Sequence, residues 1–162
     1  MDINESSASR LYRKLSGEDS VFAIISPYRG EYDSQENQKR MTHLKSAVRK
    51  LGLGFDQFIC RWAEGGEFFE EGSLLVSDID YKTAIKLGAK YDQSSIVYKD
   101  ICSLREICVT TFETYKPGDI VRTFNIEKDM LNIKDKEYFE LYQVYDPRPR
   151  YFQTNPVIEK LY

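Results

Sequence analysis

The sequence predicts an α+β domain of the ferredoxin-like βαββαβ type, in which two helices cover one face of an antiparallel sheet, followed by a β-rich C-terminal extension. Three observations predict it. Val21-Phe-Ala-Ile-Ile25 is a compact apolar run closed by Pro27. A long segment after it repeats apolar residues at helical spacing. Two strand-like runs, a second helical segment and a fourth strand then complete the order by Asp100. Residues 1–20 read as a lead-in, 21–100 as the core, and 101–162 as an extension and a Pro/Arg tail of the same domain.

Met1 to Ser7 read as a frayed end, and Ala8 to Leu15 as a short helix stopped by Gly17. Val21 to Ser26 is apolar at every position but the last, so both faces of this strand should be covered. Pro27 ends it, because proline has no amide to give a ladder. Ser26-Pro-Tyr-Arg-Gly30 is thus a loop at the end of a buried strand, a common place for ligand contacts.

The spacing predicts a helix over 34–51, with Asp33 and Glu36 as a capping box and Met41, Leu44, Ala47, Val48 and Leu51 as its core stripe. Asn37 and Arg40 lie one turn apart at its start, either solvated or turned toward the Tyr28-Arg29 loop. Phe55 to Ala63 alternates as a strand, with Phe58, Cys60 and Trp62 on one face. A turn at 64–67 and a loop carrying Phe68, Phe69, Glu70, Glu71 and Gly72 lead to a strand over 73–77. Asp80 is the expected N-cap of a second helix, whose core face is Tyr81, Ala84, Ile85, Gly88 and Ala89. Ser94 to Tyr98 reads as the fourth strand, 105–111 as a fifth and 120–125 as a sixth. Residues 135–142 read as a helical turn or two and 141–145 as an edge strand. Asp146-Pro-Arg-Pro-Arg-Tyr-Phe152 reads as an extended, polyproline-like run, laid across its own domain or offered to a partner.

Composition limits the function. Lys and Arg number 23 against 26 Asp and Glu, a net charge of −3 that argues against general nucleic-acid binding. No apolar run approaches the length of a bilayer crossing, and the acidic first residues do not resemble a signal peptide. Cys60, Cys102 and Cys108 are odd in number and lack a C-x-x-C pair, which suggests reduced thiols in a cytoplasm. A single histidine, His43, excludes polyhistidine zinc sites. Neither a P-loop nor a dinucleotide fingerprint occurs. Any chemistry must therefore use carboxylates, tyrosines, arginine and backbone groups. Glu64, Glu67, Glu70 and Glu71 gather beside Trp62, Phe68 and Phe69. Acids next to aromatic faces can hold a cation, and a solvated acidic hairpin tip accounts for the same residues.

Ile24-Ile-Ser-Pro-Tyr-Arg29, Glu36-Asn37-x-x-Arg40-x-x-x-Leu44, Glu70-Glu71-x-Ser73-Leu-Leu-Val76 and Gln93-x-Ser-Ile-Val97 resemble an uncharacterised domain family of bacteria and phages. The chain also resembles small early proteins of T-even-type bacteriophages. It is distantly similar to the phage S-adenosylmethionine lyases, which split that cation into methylthioadenosine and homoserine lactone. The lyase resemblance implies Glu71, or Glu70 beside it, as the catalytic acid. It implies Tyr28, Arg29, Asn37, Arg40 and Trp62 or Phe69 around the ligand. It implies a trimer with sites between subunits. Where a second acid is expected, this chain has Gln93, which puts turnover in doubt.

The expectation is a phage host-takeover or counter-defence protein of the host cytoplasm with a pocket for a nucleoside-like ligand, enzyme status open. The alternative is a non-catalytic protein that sequesters such a ligand or inhibits a host protein. No cofactor or metal is expected.

Overall fold

The computed structural model describes residues 19–64, 67–101, 103–126, 138–143 and 146–155. The short helix expected over 8–15, the frayed N-terminus and Cys102 lie outside these residues. The four-stranded ferredoxin-like sandwich expected from the sequence is not the fold. The chain is mostly β, an antiparallel barrel of eight strands with two helices packed on its outer side.

The strands are β1 (Phe22–Ile25), β2 (Phe55–Glu64), β3 (Glu67–Ser77), β4 (Ser95–Lys99), β5 (Leu104–Cys108), β6 (Ile120–Ile126), β7 (Tyr138–Gln143) and β8 (Asp146–Asn155). Helix α1 (Ser34–Lys50) joins β1 to β2, and α2 (Tyr81–Lys90) joins β3 to β4. The barrel runs β1-β3-β2-β7-β8-β6-β5-β4 and closes through the β1–β4 pair. The order of elements from β1 to β4 is the expected one. The overturning fact is that β4 and β2 are not edges. β4 pairs with β5, and β2 pairs with β7.

The physical reason lies in the inward face. Phe22, Ile24, Phe58, Cys60, Leu75 and Val97 form one buried cluster with Leu104, Phe124, Phe139 and Leu141. A four-stranded sheet would leave the first six facing water. Closing the sheet with β5 to β8 buries them and leaves no unpaired edge. Eight strands also give an interior narrow enough to be filled by side chains or to hold one small ligand.

The helices cover the opposite face. Met41, Leu44 and Val48 of α1 and Ala84 and Leu87 of α2 pack on Ala23, Ile25, Leu74, Val76, Ile96 and Tyr98. Leu87 was not among the expected core positions, and Leu51, which was, is 49% exposed. Asp33 caps α1 by accepting from the Glu36 amide at 2.8 Å. Asp80 caps α2, accepting from the Thr83 amide at 2.8 Å and the Thr83 hydroxyl at 2.9 Å. These bonds lower the Asp80 carboxyl pKa.

Three other expectations are corrected. The loop expected over Phe68 to Gly72 is strand, because β3 pairs with β2 along its whole length, from Glu64↔Glu67 to Phe55↔Val76. Residues 138–143 are a strand in the barrel wall rather than a helical turn, and the edge strand expected over 141–145 is not an edge. Residues 146–155 do not lie across the domain as a tail, since their backbone pairs with both β6 and β7.

Gly88 is where α2 meets the sheet most closely. A Cβ there would stand 2.6 Å from Ile96 Cγ2 and 3.3 Å from Val109 Cγ2. Both neighbours are buried. Gly88→Ala should destabilise the protein by about 1–3 kcal/mol through overpacking, outweighing the helix propensity gained. Urea denaturation measures this, and an unchanged midpoint would show that the helix shifts freely.

Candidate functional site

One mouth of the barrel opens into a cavity of about 360 Å³, at the C-terminal end of β1 and the N-terminal end of β4. Its lining brings together Tyr28, Arg29, Trp62, Phe69, Glu71 and Gln93. These come from the β1–α1 loop, both arms of the β2–β3 hairpin and the turn before β4. In strand β3 the alternation sends Phe69, Glu71, Ser73 and Leu75 inward, so a carboxylate lies on the same side as the core. The hairpin twists Trp62 over this position, and its Nε1 donates to Glu71 Oε1 at 3.2 Å. Trp62 also stacks on Phe139 with ring centroids 5.0 Å apart.

Burial pushes the Glu71 carboxyl up to about 7, the hydrogen bonds from Trp62 and Ser26 oppose this, and the charge of Glu106 adds to it. The Ser26 hydroxyl also donates to Gly72 O at 2.7 Å. Glu71 keeps some accessible surface, and that surface faces the cavity it lines. Gly72 beside it lets the Tyr28 side chain approach closely. A Cβ there would come within 2.7 Å of the Tyr28 ring.

Glu70 goes to the other side of the sheet. Its carboxylate is 3.8 Å from Arg61 Nε, and it does not line the cavity. Arg61 in turn pairs with Glu140 at 3.2 Å and lies over the Phe68 ring at 3.9 Å. The acidic hairpin thus divides by parity, Glu71 inward and Glu70 on the outer wall.

Asn37 and Arg40 do not line the cavity either, and they build its rim from behind. Asn37 accepts from the Arg29 amide at 3.0 Å and donates to Arg29 O at 3.1 Å and Tyr32 O at 3.3 Å. Arg40 donates to Pro27 O and Tyr91 O, both at 2.6 Å. One guanidinium thereby ties the loop after β1 to the turn after α2. Arg29 spans the same gap from the solvent side, donating to Asp92 O and, at 2.5 Å, to Glu31 Oε1. The bond to Glu31 raises the Arg29 pKa and lowers that of Glu31.

Glu106 is among the cavity residues not singled out in the sequence, whereas Ser95 stands in the Gln93-x-Ser-Ile-Val97 motif. Glu106 lines the cavity from β5, with Arg122 Nε 2.8 Å from its Oε1 and Ser95 Oγ donating to its Oε2 at 2.5 Å. Ser95 lines it from β4. A carboxylate inside the short strand Leu-Arg-Glu-Ile-Cys was the available signal. Cys60 also lines the cavity and Cys108 lies in the core. Both are buried free thiols whose pKa burial raises, which makes them poor nucleophiles. His43 is exposed on α1, away from the site. Among the described residues no cluster of acids, cysteines and histidine could hold a metal ion, and no helix is long and apolar enough to cross a membrane.

Residues 26–96 match the family described as Protein of unknown function (DUF3293). The similarity covers less than half of the 162 residues. It begins at Ser26 and ends one residue past Ser95, so it spans the loop, the hairpin acid and the turn that form most of the cavity. Glu106 and Arg122 fall outside the DUF3293 segment. No curated protein matches the chain.

Proposed function

We propose that this is a phage accessory protein of host takeover or counter-defence whose barrel mouth binds a small nucleoside-like sulfonium cation. The observation that carries the cation is Glu71, a buried acid walled by Trp62, Phe69 and Tyr28. Arginines pair with the other acids of the lining, Arg29 with Glu31, Arg40 with Asp92 and Arg122 with Glu106. Among the described residues this leaves Glu71 as the lining acid with no basic partner beside it in the cavity, and the one a cation would meet. An ionised carboxylate and ring faces both attract a cation that has left water, and a sulfonium or quaternary ammonium sheds water cheaply. A cavity of about 360 Å³ suits a ligand of nucleoside size. The resemblance to T-even early proteins is the ground for the phage role and the host cytoplasm.

S-adenosylmethionine is the candidate substrate. In its cleavage to methylthioadenosine and homoserine lactone, the substrate's own carboxylate forms a C–O bond at its γ-carbon. The C–S bond breaks, and its electron pair neutralises the sulfonium. The protein need only hold the bent cation beside a negative group, so positioning and electrostatics suffice. Gln93, where the lyase resemblance expects an acid, favours a second reading in which the ligand is sequestered without turnover.

Titration calorimetry with S-adenosylmethionine and S-methylmethionine, together with chromatography of the incubated mixture, tests both. Binding with methylthioadenosine release supports the lyase, and binding without product supports sequestration. Binding of neither compound would remove the cation reading. Because a proton competes for Glu71, affinity for either cation should fall about tenfold per pH unit below pH 7. A flat profile between pH 5 and 7 would show that Glu71 is not the counter-ion.

A further inference from the structure

A floor of the cavity formed by the turn before β4, β4 and β5 carries a set of hydrogen-bond acceptors. Ser95 gives its only hydroxyl proton to Glu106 Oε2 at 2.5 Å, so toward the cavity its oxygen can only accept. Arg122, 2.8 Å from Glu106 Oε1, holds that carboxylate in place and matches its charge. Gln93 Oε1 is a buried carbonyl oxygen with no hydrogen-bond partner in a residue that lines the same cavity. A buried acceptor left without a donor costs free energy, and a ligand that supplies the donor recovers it.

We propose that Ser95, fixed by Glu106, and Gln93 together receive a vicinal pair of ligand hydroxyls, such as the 2′ and 3′ hydroxyls of a ribose. Gln93 and Ser95 stand two residues apart and both line the cavity, so two donors carried close together on one ligand would meet them, and a vicinal diol has that form. Glu106 acts as a positioning residue that sets the Ser95 hydroxyl. It comes from a strand beyond the DUF3293 segment, whereas Gln93 and Ser95 lie within it. The inference deepens the cation reading by assigning the other end of the ligand, but it depends on different residues and can stand without it.

The test measures the affinity of the full chain for adenosine, 2′,3′-dideoxyadenosine, purine riboside (which lacks the base amine) and S-methylmethionine. Adenosine and purine riboside should bind alike, and the dideoxy compound about tenfold or more weaker. Ser95→Ala should weaken adenosine about tenfold and leave S-methylmethionine unchanged. Glu106→Gln should weaken adenosine likewise. Should that variant melt early because Arg122 has lost its partner, Ser95→Ala still keeps the ion pair and decides the question. Equal binding of adenosine and its dideoxy form would overturn the proposal, as would an unaffected Ser95→Ala protein. Loss of purine riboside binding alone would assign the acceptors to the base amine and overturn it too. S-methylmethionine failing while adenosine shows this pattern would end the cation reading and support the floor. No nucleoside binding at millimolar concentration would end the floor, whatever S-methylmethionine does.

Discussion

The Glu71→Gln protein should melt higher than the wild type at pH 8 and should no longer bind an organic cation. The unfolded chain titrates this carboxyl near 4.5, and the folded one near 7. The folded state therefore holds the proton more tightly. Stability from this group is fully present below about pH 4.5 and is lost as pH rises through about 7. A shift of that size corresponds to about 3 kcal/mol of strain stored above pH 7, an upper figure because the group partly faces the cavity. Glutamine keeps an oxygen to accept from Trp62 and removes the buried charge. The two proteins should therefore melt alike near pH 4.5 and diverge by several degrees at pH 8. Thermal denaturation across this range checks the stability half, and calorimetry with S-methylmethionine the binding half. A mutant less stable than the wild type at pH 8 would mean that the charged form is well compensated, and the case for a waiting counter-ion would lapse. A gain in stability joined to a loss of binding is the signature of a group retained for function.

Replacing Arg40 by Met should cost about 2–4 kcal/mol and loosen the rim. The guanidinium makes two short bonds to the carbonyls of Pro27 and Tyr91, and its removal leaves both with no donor. Methionine preserves the packing between the Tyr32 and Tyr91 rings, whose centroids lie 5.1 and 5.6 Å from the guanidinium carbon. The loss would thus report on the polar bonds. Amide exchange should accelerate over residues 27–32 and 91–94 and stay unchanged in the β2–β3 hairpin. Ligand affinity should fall with it, since Tyr28 and Arg29 ride on that loop. Arg40→Lys should recover only part, because an ammonium presents no planar fork to two separated carbonyls. Uniform exchange across the chain would make Arg40 an ordinary stabilising residue with no special hold on the rim.

Much of the local structure could be read from residue order alone. Both long helices, both aspartate caps and the inward run Phe58, Cys60, Trp62 follow from periodicity and capping chemistry, which are local properties. The barrel was not legible, because pairing of β2 with β7 or β4 with β5 is decided by which faces would otherwise remain wet. The apolar second face of β1 was the one hint. At the site, Glu70 and Glu71 look alike in sequence. Strand parity separates them, and parity could not be applied while the segment was read as a loop.

The sequence by itself determined both helices and their aspartate caps, that β1 is covered on both sides, and that the chain carries one histidine and no phosphate-loop motif. Only the tertiary structure decided that the sheet closes, that Asn37 and Arg40 brace the rim from behind, and that Glu106 meets Glu71 in one cavity. The physical reason is range. Capping and periodicity act within a few residues, whereas barrel closure and the burial of a charge depend on strands distant in the chain finding a common interior.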